Sequence, residues 1–241
     1  MKKEEFNEIL AEGEEEVDLA LELARQEKWE EALRQFDNAE KTFLSISHEH
    51  WLTFLRHEKV NCFHALGQLE QLDDLVELCI QGYINIKSLS GLSRFLTHLA
   101  QLYQAQTRDS KALSCLYSAL SVAINEQVTD VLGPIYGNLA VQLLLHDEAF
   151  QAISYLNLAL TCYSQEDLTD RSWLHEKLAL AYQALYHHKE AESNFMLAIE
   201  GYNQVGQAAL SREVAKELAE LYQAGGQQAK ATAIKSRLNG N

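Results

Sequence analysis

The stretch that decides the architecture runs from Leu99 to Ala119, LAQLYQAQTRDSKALSCLYSA. It opens on Leu99-Ala100 with Tyr103 a helical turn later, and nine residues after Tyr103 it begins a second pattern, Ala112, Leu116, Ala119. Steps of three and four put each set on one face of a helix. Small residues facing large ones across two antiparallel helices let the backbones approach closely while the bulky side chains fill the flanks. The stretch therefore reads as a helical hairpin.

The same hairpin recurs. Leu19-Ala20, Leu139-Ala140, Leu178-Ala179 and Leu218-Ala219 repeat the opening pair, each with Leu23, Leu143, Tyr182 or Tyr222 closing it. From Leu99 onward the openings are 40, 39 and 40 residues apart, and the gap of 80 after Leu19 leaves room for one weaker copy, read as Cys62-Phe63-His64-Ala65-Leu66. The second pattern follows as Ala32, Phe36, Ala39; Leu75, Cys79, Gly82; Ala152, Leu156, Ala159; Ala191, Phe195, Ala198; and Ala231, Lys235, Leu238. One hairpin cannot bury its outer face, but six stacked hairpins can.

Small residues at fixed places with large ones between them resemble the tetratricopeptide repeat (TPR) family, over about residues 13–238. The period near 40 and the missing inter-repeat proline bring the chain closest in appearance to extended forms of that repeat. The resemblance implies an all-α, right-handed superhelical solenoid of about six hairpins. It divides the chain into an acidic N-terminal helix extension (1–12), a repeat domain (13–238) and a short tail (239–241). Twelve helices are expected, near 3–27, 29–46, 48–67, 70–87, 90–106, 109–126, 129–146, 148–164, 168–186, 188–204, 207–224 and 227–238. Ser90, Asp109 and Asp147 are the expected helix starts; Gly206, Gly225 and Gly226 are the expected stops.

Composition agrees with this reading. Pro134 is the single proline and there are 11 glycines, so few residues interrupt a helix. The net charge of −15 argues against nucleic acid or an anionic membrane as the partner. Residues 1–50 carry 15 acidic and 6 basic side chains, so the acidity is concentrated there. No stretch of 18 uncharged apolar residues occurs, and the start lacks a signal-peptide core; a cytoplasmic protein is expected. Cys62, Cys79, Cys115 and Cys162 form no metal or redox spacing. There is no phosphate loop, GxSxG elbow, HExxH or EF-hand, and His48, His50, His187 and His188 fall at turns. No enzyme activity, cofactor or metal is expected.

In repeats of this family the first helix of each hairpin lines the concave surface. The residues preceding each opening Leu-Ala pair read Asp18, Asn61, His98, Asn138, Lys177 and Glu217, and a second column reads Leu21, His64, Gln101, Val141, Leu180 and Glu220. His57, Arg94 and Trp173 lie at the lip. The resemblance implies a binding groove for a peptide or protein segment built from Asn61, His64, Arg94, His98, Gln101, Asn138, Val141, Trp173, Lys177 and Leu180. Asparagine can hold a peptide backbone with a paired donor and acceptor, and tryptophan can supply a rigid apolar contact. An adaptor or scaffold is the leading expectation; a sensor of a short signalling peptide is the alternative, and self-association through a terminal repeat is left open.

Overall fold

The computed structural model describes residues 2–68 and 71–239, with the side chains of 237–239 outside the description. Among the described residues there are twelve α-helices and no strand: α1 (Lys3–Arg25), α2 (Trp29–Ser45), α3 (Glu49–Ala65), α4 (Leu72–Asn85), α5 (Leu89–Ala105), α6 (Asp109–Asn125), α7 (Leu132–Leu145), α8 (Ala149–Thr161), α9 (Leu168–Ala184), α10 (His188–Gln204), α11 (Ala208–Ala224) and α12 (Gln228–Asn239). Residues 3–12 are the first turns of α1. Leu238, the expected close of the last stripe, lies outside the described side chains. The chain falls into two compact units, Met1–Phe95 and Leu96–Asn241.

One turn geometry joins the helices almost throughout. Glu27, Gly67, Thr107, Asp147, Tyr186 and Gly226 have positive φ, and so do Ser47, Lys87, Gln127 and Gly206. The residue after each sends its N–H back five positions to a helix carbonyl: Lys28 to Leu23 at 3.0 Å, Arg108 to Tyr103 at 2.9 Å, Gln227 to Tyr222 at 2.8 Å. This is the Schellman motif, which satisfies carbonyls that a helix end would otherwise leave unpaired. In α6 the same residue, Arg108, is also the N-cap of the next helix. A proline cannot stand there because it lacks the N–H that closes the turn.

This geometry corrects the expected caps. Asp109 is already inside α6 and Asp147 is a left-handed turn residue at φ 61°, while the N-caps Arg108 and Glu148 make no side-chain capping bond. Ser90 lies within α5. The turn between α8 and α9 is different. It lacks a left-handed residue and is held by the Ser164 N–H donating to Asp167 Oδ2 at 2.7 Å, with Arg171 Nη1 reaching the Leu160 and Tyr163 carbonyls at 3.3 and 3.4 Å. Helix α8 accordingly ends early, at 13 residues, and α7, which starts only at Leu132, is also shorter than expected, at 14.

In the first unit, Val17 and Ala20 of α1 pack with Ala32, Phe36, Ala39 and Phe43 of α2 and with Leu52, Leu55 and Cys62 of α3. Gly13 is small because Phe43 lies over it: a Cβ there would be 2.6 Å from Phe43 Cζ. On the flank, Lys59 meets Asp37 at 2.6 Å and Glu40 at 2.9 Å, and Arg56 meets Glu40 at 3.0 Å. These two cations hold the Glu40 carboxyl below the usual carboxylate range against the opposing effect of its burial.

The second unit repeats the theme. Ala140, Leu143, Ala152, Leu156 and Ala159 form a core with Leu174, Leu178 and Ala181. Ala179, Ala191, Phe195 and Ala198 form the next with Tyr202, Val214, Leu218, Tyr222 and Ala231. Ala140 has no exposed surface. Ala140→Leu should therefore overpack α7 against α8 and lower unfolding stability by about 1–3 kcal/mol, measured by urea denaturation. Gly206 is a separate case, at φ 75° with nothing within 4 Å of a built Cβ. Gly206→Ala meets no neighbour, so its expected loss of about 1 kcal/mol is a pure backbone effect; an unchanged urea midpoint would contradict it.

Candidate functional site

The repeated turn supplies a register that pattern matching alone lacks. Counting back from each left-handed residue within a hairpin, the positions 13, 9 and 6 residues earlier fall at steps of four and three, on one helical face. In α7 they are Pro134, Asn138 and Val141; in α9, Trp173, Lys177 and Leu180; in α11, Glu213, Glu217 and Glu220. In α5 they are Arg94, His98 and Gln101, of which Arg94 belongs to the first unit. Arg94 and Trp173, assigned from sequence to the lip, thus share one count from their turns; within the second unit Trp173 shares it with Pro134 and Glu213.

The second hairpin is corrected by the same register. Its turn residue is Gly67, which places Phe54, Glu58 and Asn61 on the face. Asn61 moves from the first column to the second, Glu58 takes its place, and His64 drops out of both. The error was a three-residue slip, made because Lys59-Val60 stands where other repeats have Leu-Ala. Glu58 and Asn61 are a turn apart and bonded, Asn61 Nδ2 donating to Glu58 Oε2 at 3.2 Å. Asn61 Oδ1 is buried and has no partner among the described residues. Burial raises the Glu58 carboxyl above the usual range, and the Asn61 bond opposes that shift.

Within the second unit, Asn138 is 9% exposed and its amide is already engaged. Its Nδ2 donates to the Pro134 carbonyl at 2.8 Å and its Oδ1 accepts from Gln101 Nε2 at 3.2 Å. The exposed side chain at this level is therefore Gln101, held in place by the Asn138 amide. Val141 is half-buried beside them.

Trp173 lies against the backbone of α7, where a Cβ on Gly137 would be 2.7 Å from Trp173 Cζ3. Its ring packs at the edge of both cores while remaining partly open to solvent. The Lys177 ammonium sits 6.0 Å from the ring centroid and pairs with Glu176, which also accepts from Tyr202 Oη at 3.2 Å. Leu180 packs at the rim of the core shared by α9, α10 and α11.

Glu213, Glu217 and Glu220 were not singled out as site residues from sequence, although two of them stood in the two columns. Glu213 and Glu220 are exposed. Glu217 is half-buried, and its Oε2 is shielded from water without a hydrogen-bond partner among the described residues. Burial raises its carboxyl above the usual range, and the negative charge of Glu176 adds to the shift, as do Glu220 and Glu213, while Lys177 opposes it. A carboxyl raised in the folded chain gives stability that is full below its unfolded pKa and is lost as pH rises through the folded value. Glu217→Gln removes the group that is lost, so it should leave the chain at least as stable as wild type at pH 7, with the gain shrinking toward pH 4 in urea titrations.

Two of the four cysteines are buried, and one turn histidine is occupied structurally. The Cys62 and Cys79 thiols are pushed up to about 11 and about 12 by burial, and the His48 ring accepts the Trp51 N–H. Among the described residues no group of three or more His, Cys, Asp or Glu side chains is placed to hold a metal ion. Among them, too, no helix is long and apolar enough to cross a membrane.

Solved structures with the same arrangement of helices complete the assignment. BtubC (BKLC) from P. vanneervenii is similar over 97% of this chain and 89% of that chain, with a TM-score of 0.60 and 18% identity. The pilF protein of Pseudomonas aeruginosa is similar over 97% and 91%, with a TM-score of 0.61 and 16% identity. The C-terminal part of a TPR repeat-containing protein from Cytophaga hutchinsonii matches over 92% and 84%, with a TM-score of 0.53 and 16% identity. The chain has the tetratricopeptide-like repeat fold. No family model matches the sequence, and no curated protein matches it. At these identities the likeness of the TPR-like chain to its structural neighbours is one of fold.

Proposed function

We propose that this TPR-like chain is a non-catalytic protein-interaction scaffold, taking a peptide or protein segment along the first-helix faces of its repeats. The observation that carries the reading is the row of aligned positions on α5, α7, α9 and α11. The alanine and leucine stripes are consumed by the core, yet the next face of each first helix carries side chains that only partly satisfy one another. Gln101, Val141 and Leu180 offer an amide and two aliphatic surfaces at one register position, and Trp173 adds a rigid aromatic ring two turns earlier on α9. That mixture suits an extended segment, whose backbone needs hydrogen bonds and whose side chains need shallow apolar seats. Nothing in it suggests a bond-breaking step. Recruitment of one protein to another, within the cytoplasm, is the role that follows.

The test begins with affinity capture from the native cell and identification of the co-purifying protein. Trp173→Ala should then weaken the purified partner by about thirtyfold, the loss of a contact worth about 2 kcal/mol, with circular dichroism confirming that the variant is folded. Charge reversal at Glu4, Glu5 and Glu8 in the first turns of α1 should change mainly the salt dependence. Normal binding by Trp173→Ala together with loss on the α1 reversals would move the site to α1.

A further inference from the structure

At the junction of α6 and α7 one residue breaks the pattern of the cores. From the second hairpin on, the positions five residues before each left-handed turn within a hairpin are Cys62, Leu102, Gln142, Ala181 and Leu221. Cys62 shares a core with Phe36 and Ala39 of α2, Ala181 with Leu156 and Ala159 of α8, and Leu221 with Phe195 and Ala198 of α10. The position thus faces the second helix of the preceding hairpin. By that register Gln142 faces α6, whose buried stripe is Ala112, Leu116, Ala119 and Ala123. Gln142 is 0% exposed, and neither its Nε2 nor its Oε1 has a hydrogen-bond partner among the described residues. A buried amide with both ends unmet weighs against the packed arrangement and favours one that admits water.

Two further observations fall at the same seam. The connection from α6 to α7 runs over residues 126–131, whereas 46–48 suffice between α2 and α3 and 205–207 between α10 and α11. Helix α7 carries Gly133, Pro134 and Gly137 in its first half; glycine lowers intrinsic helix stability and proline withholds an N–H. On the face of the first helices, Gln101 Nε2 reaches across to Asn138 Oδ1 at 3.2 Å. That bond sits one helical turn along α7 from Gln142.

We propose that the seam between α6 and α7 is a joint, at which α7 parts from α6 and returns, with the Gln101–Asn138 bond as its latch and the Gln142 amide as the group that gains water on opening. Gln101 belongs to the hairpin before the joint and Val141 to the hairpin after it, so opening changes the spacing of the face positions between them. Adjustment of that spacing to a bound segment rests on the scaffold reading above. The joint itself does not.

Hydrogen exchange of the full chain, followed by mass spectrometry of peptides from α6, α7 and α9, reads the joint with no partner present. Parted from α6, a 14-residue helix with two glycines loses protection. The α7 amides should therefore exchange at least about tenfold faster than those of α9. Gln142→Leu, the residue type of Leu102 and Leu221, should slow α7 exchange by about tenfold while leaving α9 nearly unchanged. Gln101→Ala, which removes the latch, should speed α7 exchange by about fivefold. Should the leucine variant fail to fold, Gln142→Ala, matching Ala181, carries the same expectation. Amides of α7 as slow as those of α9 would overturn the joint. Faster α7 exchange in the position 142 variants would show the amide held by buried water and would overturn it too. Equal slowing in all three helices, the mark of plain core stabilisation, or an α7 rate unmoved by Gln101→Ala, would have the same effect. None of these outcomes touches the scaffold reading, which stands or falls on Trp173→Ala.

Discussion

Everything in this chain depends on where a helix is made to stop. Ten of the described turns use one residue in the left-handed region followed by one whose N–H reaches back five positions. That pair closes the helix and, as Arg108 shows, the second residue is already the cap of the next one. Where the turn is no longer than that pair there is no slack, so the rotational phase of the helix is inherited from its predecessor. A slip of one residue would rotate the following helix by about 100° and take the alanine stripe out of the interface. The uniform turn is therefore what allows uniform packing. It also explains the absence of the inter-repeat proline, because the position that a proline would punctuate must donate a hydrogen bond.

Phase, once fixed, divides each first helix into two jobs. Ala20, Ala140, Ala179 and Ala219 lose all exposure in the packed cores. Positions a turn away cannot take part in that packing and are released to vary. The contrast between α7, with a buried asparagine bonded to its neighbour, and α11, with three carboxylates, arises on this released surface. Variation there leaves the cores intact. A repeat fold with this division can change the chemistry of its released surface from repeat to repeat without rebuilding its cores.

Much of the fold could be read from the sequence because alanine recurring at one spacing over several copies is hard to reconcile with anything but stacked helical hairpins. The helix count and the hairpin order followed from it. Register in the second hairpin did not, since Lys59-Val60 replaces the Leu-Ala pair and Leu75, Cys79 and Gly82 offered an equally regular stripe three residues along. What distinguishes the two is Gly67, whose positive φ is a backbone property with only a weak residue signature: elsewhere the same position is Glu27, Thr107, Asp147 or Tyr186. The candidate site was legible to a lesser degree. Sequence could place Asn138 and Trp173 on first helices beside the core stripe, but it could not show that the Asn138 amide is spent on Pro134 and Gln101, or that Trp173 rests on Gly137. Pairing between side chains on different helices is a tertiary fact.

The acidic column on α11 is where the structural and functional demands separate most clearly. The largely buried cations of the first helices all have partners: Lys59 with Asp37 and Glu40, Arg56 with Glu40, Lys177 with Glu176. Glu58 is relieved by Asn61, though only in part. Glu217 has one oxygen without such relief, and it stands among like charges. A glutamine would fill the same volume at that position without the charge, and the released face imposes no packing reason to refuse it. Stability alone therefore gives no account of a carboxylate at Glu217, which sits half-buried among like charges where a neutral amide would cost less.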